Sequence, residues 1–322
     1  MSNLTSPFKS PRGEAEYMAA YEATMQLWTV PYEVVDVRSR FGSTHLVSCG
    51  PKEAPPLMLL HCFFTSLTNW AYNVAALSRD YRVYAPDMMG QPGKSVPDEP
   101  IRNREEMAEW LTGIFDELEI HEAGLIGYSY GGFAALNYAM RAPSRINKLI
   151  LLSPAGGLVP LRKQFYIRGA FNTLGSFIPS LSRFTSSSML HWMVYERNLH
   201  DEKFRRLFDC TLDQLSLGTK YFRTGTMVIP SAYKDEELRS VTMPTLLLIG
   251  RHEALYDPVA AVNRANRLIP SIQTELIKQA GHDLPNSKAD AVNERMLNFL
   301  KDDPHSAPGS LGLIRGERAI VT

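Results

Sequence analysis

The chain has few of the residues that mark several large classes of protein. Three cysteines, Cys49, Cys62 and Cys210, are scattered through 322 residues with no C-x-x-C pair. That spacing excludes a dense disulfide framework and fits a reducing compartment. Lys plus Arg number 34 and Asp plus Glu number 34, so the formal net charge is zero. Nothing in that balance suggests a nucleic-acid partner or an anionic membrane surface. No apolar run reaches the length of a membrane span. The first residues, Met1-Ser2-Asn3-Leu4-Thr5-Ser6-Pro7, lack the basic start and apolar run of a signal peptide, and a cytoplasmic location is expected. There is no Gly-rich phosphate loop of the Walker or dinucleotide kind. The eight histidines include no H-E-x-x-H and no close metal-ligand spacing. No cofactor and no metal are expected. Internal repeats and low-complexity blocks are absent as well.

What is present is an alternation of short apolar runs with amphipathic segments. Residues 14–27 repeat apolar and aromatic side chains at helical spacing. Residues 32–37 and 44–48 read as a strand pair turned at Arg40-Phe41-Gly42. Strands follow at 56–60, 82–85, 123–126, 148–152, 245–249 and 273–277. Helices are expected at 73–78, 103–118, 132–140, 258–268 and 289–300. Strands alternating with helices imply a doubly wound, mostly parallel sheet, an α/β fold. The rhythm breaks between 158 and 240, a stretch rich in aromatics and methionine. The expected organisation is an N-terminal helical extension at 1–31, a core at 32–157 and 241–302, a helical cap insertion at 158–240, and a C-terminal tail at 303–322. By base rate the aromatics of the insertion are mainly core, and some line an apolar pocket.

One pentapeptide carries the chemistry. Gly127-Tyr128-Ser129-Tyr130-Gly131 matches G-x-S-x-G and sits between a strand and a helix. A strand, a sharp turn and a helix form a nucleophile elbow that lifts the serine hydroxyl above the sheet edge. The flanking glycines suit the close approach of strand and helix. A serine hydroxyl needs a base, and the base needs an orienting carboxylate. In this architecture the order is Ser, acid, His. His282 follows the last strand in Gln279-Ala280-Gly281-His282-Asp283, on the same carboxyl edge of the sheet, where α/β ligand sites lie. The acid comes from the loop after strand 245–249, Gly250-Arg251-His252-Glu253. Glu253 is favoured over Asp257, because Asp257-Pro258 reads as an N-cap with proline in the first helical position. The oxyanion hole needs two backbone N–H groups. Tyr130, after the nucleophile, supplies one. The loop His61-Cys62-Phe63-Phe64 supplies the other, from Phe63.

With these residues in place, the chain resembles the α/β-hydrolases from about residue 32 to 300. His61-Cys62-Phe63-Phe64 is similar to the family's H-G-x-x oxyanion loop. Asp87-Met88-Met89-Gly90-Gln91-Pro92-Gly93-Lys94-Ser95 resembles its D-x-x-G-x-G-x-S segment with one extra residue. Within the family, the chain is most similar to bacterial carboxylesterases of the type that hydrolyse arylpropionate (naproxen-like) esters. They share the N-terminal helix, Arg40-Phe41-Gly42-Ser43-Thr44-His45, the acid loop ending in Tyr256-Asp257-Pro258, and Val292-Asn293-Glu294-Arg295. The resemblance implies a serine carboxylesterase acting on small apolar esters through an acyl-enzyme. The same triad also serves C–C bond hydrolases, amidases and acyltransferases, and a non-catalytic ligand receptor can share the fold. Two departures stand near the site. Cys62 replaces a glycine where the loop bends, which would narrow or tilt the oxyanion hole, and Gln91-Pro92 disturbs a neighbouring loop.

Overall fold

The computed structural model describes residues 6–223 and 225–302. The expected tail at 303–322 lies outside the described residues. At the centre stands one nine-stranded sheet: β1 (Glu33–Ser39), β2 (Gly42–Cys49), β3 (Pro56–Leu60), β4 (Arg82–Pro86), β5 (Val96–Pro97), β6 (Ala123–Tyr128), β7 (Ile146–Leu152), β8 (Thr245–Gly250) and β9 (Ile272–Ile277). The order is β1-β2-β4-β3-β6-β7-β8-β9, with β5 paired to β2. The β1–β2, β2–β4 and β2–β5 pairs are antiparallel, and all pairs from β4 to β9 are parallel. The two-residue β5 was not legible, because a strand so short has no periodicity to read.

The central strands are apolar throughout because both faces are covered. Along β3, Met58 and Leu60 face one core while Leu57 and Leu59 face the other. In β7, Leu149 and Leu151 face the first and Ile150 and Leu152 the second. The first core is roofed by α3 (Arg104–Glu117), α4 (Tyr130–Arg141) and α9 (Pro258–Leu268), through residues such as Trp110, Phe133 and Ala261. The second is roofed by α1 (Pro11–Met25), α2 (Val74–Leu77) and α11 (Ala289–Lys301), through Tyr21, Val74 and Met296.

Helix α1 starts three residues earlier than its periodicity suggests. Ser10 Oγ accepts Gly13 N–H at 3.1 Å, and Pro11 takes the first turn, so cap chemistry rather than apolar spacing sets the start. The helix also reaches beyond the core. The Tyr21 hydroxyl donates to Asp87 at 3.2 Å, and Tyr221 packs so closely on Gly13 that a Cβ there would sit 2.6 Å from its ring.

Between β7 and β8 the chain forms α5 (Lys163–Phe177), α6 (Ser182–Met193), α7 (Glu202–Tyr221) and the short α8 (Asp235–Arg239). This helical excursion leaves and rejoins the sheet layer at one place, since Gly157 N–H donates to Ser231 O and Tyr233 N–H to Gly157 O. Phe204, Phe208, Phe222 and Tyr233 are core as expected, but the aromatics of α5 and α6 are largely not. Tyr166, Phe177 and Phe184 are exposed, because α5 packs on its neighbours α6 and α7 and has no sheet beneath it. The remaining one-turn helix, α10 (Leu284–Ser287), follows the loop after β9. Among the described residues no helix is long and apolar enough to cross a membrane.

Candidate active site

Ser129 sits at the junction of β6 and α4 with φ 54° and ψ −114°. A positive φ at a non-glycine residue is strained, and here the surroundings enforce it. Ser129 N–H donates to Leu152 O at 3.0 Å, and Ser129 O accepts from Phe133 and Ala155 at 3.0 and 2.9 Å. The glycines answer to contact distance. A Cβ on Gly127 would lie 2.3 Å from Gly131 O, and one on Gly131 would lie 2.0 Å from Leu60 O. Only bare backbone lets α4 start against the ends of β3 and β6.

His282 and Glu253 arrive from the loops after β9 and β8. His282 Nε2 stands 2.7 Å from Ser129 Oγ, and His282 Nδ1 stands 3.0 and 2.9 Å from the two Glu253 carboxylate oxygens. A carboxylate can only accept, so Nδ1 carries the proton and Nε2 is left to accept from the serine hydroxyl. The Glu253 side chain is fully buried, and one of its oxygens also accepts Leu255 N–H at 2.9 Å. The two loops touch where a Cβ on Gly250 would sit 2.1 Å from Gly281 O. Asp257, the rival acid, caps α9 instead, accepting from Val259 and Ala260 at 2.9 and 3.1 Å. His252 stacks on Tyr195 with ring centroids 4.4 Å apart.

The Phe63 and Tyr130 rings meet at 5.9 Å. Neither residue's backbone N–H has an acceptor among the described residues. The next N–H along, that of Phe64, is taken. It donates to Gln91 Oε1 at 2.8 Å, and Phe64 holds φ 57°. Gln91 is buried, so the 87–95 segment supplies an acceptor to the 61–64 loop. His61 ties the same two segments from the other side. Its Nε2 accepts Met88 N–H at 2.8 Å and its Nδ1 donates to Cys62 O at 2.8 Å. Burial lowers the His61 pKa, with Asp87 opposing more weakly, so the ring is held neutral. The Cys62 side chain turns into its own loop. Its sulfur lies 3.2 Å from Thr65 Oγ1 and 3.8 Å from Asn69 Oδ1, and desolvation pushes the thiol pKa up to about 12.

A second set of contacts stitches the stretch after α6 to the base loop. His282 N–H donates to Met193 O at 2.9 Å, Tyr195 N–H to Asp283 Oδ1 at 3.3 Å, and Asn198 Nδ2 to Gln279 O at 3.1 Å. Burial raises the Asp283 pKa. Gln91, Met193, Tyr195, Asn198 and Asp283 were not singled out from the sequence as supports for the site. A carboxylate beside the base was the one local signal, and the rest act through backbone atoms or contacts across the chain.

A cavity of about 360 Å³ adjoins Tyr130, with Met88, Met89, Ile101, Met107, Trp110 and Met227 among its walls. Ser129 is not one of them. Most of the wall comes from the 88–91 loop, α3 and its approach rather than from the aromatics of α5 and α6.

The alpha/beta hydrolase fold family model matches residues 55–286. The chain is 36% identical over 302 residues to the uncharacterized carboxylesterase nap of Bacillus subtilis strain 168, covering 93% of this chain and 97% of that protein. It is 34% identical over 297 residues to carboxylesterase YbfK of the same organism, covering 91% and 96%. The crystal structure of the naproxen esterase of Bacillus subtilis superposes with a TM-score of 0.81 at 34% identity, covering 91% of this chain and all of that one. With the sheet order and the strained serine turn described above, the chain belongs to the α/β-hydrolase fold family.

Proposed function

We propose that this protein is a serine carboxylesterase that hydrolyses small apolar carboxylic esters through an acyl-enzyme on Ser129. The observation that carries the reading is the buried chain of hydrogen bonds from Glu253 through His282 to Ser129. His282 Nε2 takes the serine proton as Oγ attacks the ester carbonyl. The N–H groups of Phe63 and Tyr130 receive the developing oxyanion. Collapse of the tetrahedral intermediate expels the alcohol, protonated by His282, and leaves the acyl group on Ser129. Water, deprotonated by His282, then releases the acid and restores the serine. Glu253 keeps the imidazole in the right tautomer and stabilises its charged form without accepting the proton.

The methionine-walled cavity beside Tyr130 suits an apolar part of the ester, since flexible thioethers adapt to varied shapes. In this reading residues 158–240 act as the cap over a core formed by 32–157 and 241–302. The relatives named carboxylesterases support the same reaction class.

The test is hydrolysis of p-nitrophenyl acetate, butyrate and octanoate by the unaltered protein and by Ser129→Ala. The variant is expected to lose about 10,000-fold or more in kcat. Equal turnover by both proteins would refute the role of Ser129. Binding of apolar esters without turnover by either would point to a receptor.

A further inference from the structure

The outer face of the first two cap helices is apolar and open. On α5 only Gly175 is buried. Ile167, Phe177 and Phe184 are 68%, 78% and 65% exposed, and Phe171, Leu174 and Ile178 are open as well. Ile167, Phe171, Leu174 and Ile178 recur at intervals of four, three and four, the spacing of a single helix face. The Phe171 and Phe184 rings meet edge to face at 6.2 Å, which joins the α5 and α6 surfaces into one patch. Contiguous exposed apolar surface on this scale marks an interaction site.

The charge on the two helices themselves has one sign. No acidic residue occurs between Glu122 and Glu196. The entry to α5, the helix itself and α6 carry Arg162, Lys163, Arg168 and Arg183. From the neighbouring elements, the Lys9 ammonium donates to Ser176 O and Lys220 O, so Lys9 and Lys220 flank the end of α5. Asp213 of α7 pairs with Arg183 of α6, which cancels that basic charge, and Glu16 of α1 lies near Lys220. The remaining basic charge of the face therefore rests mainly on Lys163, Lys9 and Lys220. A two-fold-related second copy would set this basic face against itself. Anionic head groups would neutralise it, while the aromatics enter the acyl boundary. The neutral charge of the whole chain averages over this segregation.

We propose that the α5–α6 face of the cap docks on the surface of an anionic phospholipid bilayer. Ile167, Phe177 and Phe184 enter the head-group boundary, and Lys163 lies at the level of the phosphates, whereas the Arg168 guanidinium is held inward over Trp192 and on Ser188. The cap would then sit where apolar esters concentrate. Docking depends on the cap surface and not on which ester is cleaved.

Vesicle flotation of the full chain tests this without any turnover, using phosphatidylcholine alone and phosphatidylcholine mixed with phosphatidylglycerol. The protein is expected to float with the mixed vesicles and to release as salt shortens the Debye length from about 10 Å at 0.1 M to about 3 Å at 1 M. The triple change Ile167→Ser, Phe177→Ser and Phe184→Ser should weaken partitioning about tenfold or more. A thermal melt matching the unaltered protein's would show that this variant is folded. Lys163→Glu should weaken the preference for phosphatidylglycerol. The proposal is overturned if the protein floats with neither vesicle, or if the folded triple variant floats as well as the unaltered protein. It is also overturned if the unaltered protein runs as a dimer that the triple change splits, which would make the face a self-association surface.

Discussion

Gln91 lies outside the proposed reacting set, yet in that proposal it governs a transition-state contact. Its side-chain oxygen holds the Phe64 N–H at 2.8 Å, which anchors the left-handed turn just after Phe63. Gln91→Leu would leave that buried N–H without a partner, at about 1–3 kcal/mol. Loss of an oxyanion donor typically lowers kcat by about 100- to 1,000-fold. Loosening the loop that presents one is expected to lower kcat roughly tenfold with KM unchanged, the pattern of an interaction made in the transition state. Steady-state kinetics on a p-nitrophenyl ester would decide. A change confined to KM would mean that Gln91 acts on ground-state binding. Cys62 is the contrasting case. Its side chain packs against Thr65 and Asn69, so the lost glycine is absorbed by the loop's own interior.

At the scale of elements, the end of α6 and the segment after it are hydrogen-bonded to the loop after β9. Met193, Tyr195 and Asn198 each hold the base loop, and the Tyr195 ring covers His252 of the acid loop. Displacement of residues 193–198 would therefore pull on His282, the proposed base. Small misplacements of a catalytic group are costly, up to about 100-fold for 1 Å. Tyr195→Ala combined with Asn198→Ala is expected to lower kcat about tenfold and to speed amide exchange over residues 279–283. Unchanged exchange with unchanged kcat would show that the cap and the base are mechanically independent.

For the whole molecule, His61 couples stability to pH. Burial lowers its folded-state pKa below 6.5, while the unfolded chain titrates near the ordinary value of about 6.5. Below that pH the unfolded state binds the extra proton, so stability falls as the pH falls and levels off above about 6.5. One such group contributes at most about 1.4 kcal/mol per pH unit. Asp283 has the opposite sign. Burial raises its pKa above 3.8, so its contribution is greatest in acid and is lost as the pH rises through the folded value. Denaturant titrations from about pH 5 to 7.5 should show a positive slope that flattens in His61→Gln, whose amide can still accept from Met88. An equal slope in both proteins would remove His61 as the source.

Much of this protein is readable from local chemistry. The strand–turn–helix around Ser129, the β8 and β9 loops bearing Glu253 and His282, and the Asp257-Pro258 cap of α9 follow from apolar runs, glycine spacing and cap residues. Each of those signals is contained within about a turn of chain. What stayed hidden depends on contacts between distant segments. The sequence could not say that Gln91 reaches back to Phe64, that α1 packs on α7, or that the stretch after α6 grips the base loop. It could not say which aromatics of the insertion are buried, because burial there depends on whether a sheet lies beneath the helix. A helix such as α5, with neighbours on one side only, keeps the apolar composition of core and presents it outward. Local chemistry alone determined the order and type of most core elements and proposed the reacting set, while β5 and the individual helices of the insertion carried no readable signal. Tertiary packing decided what holds that set in place and which apolar surface was left uncovered.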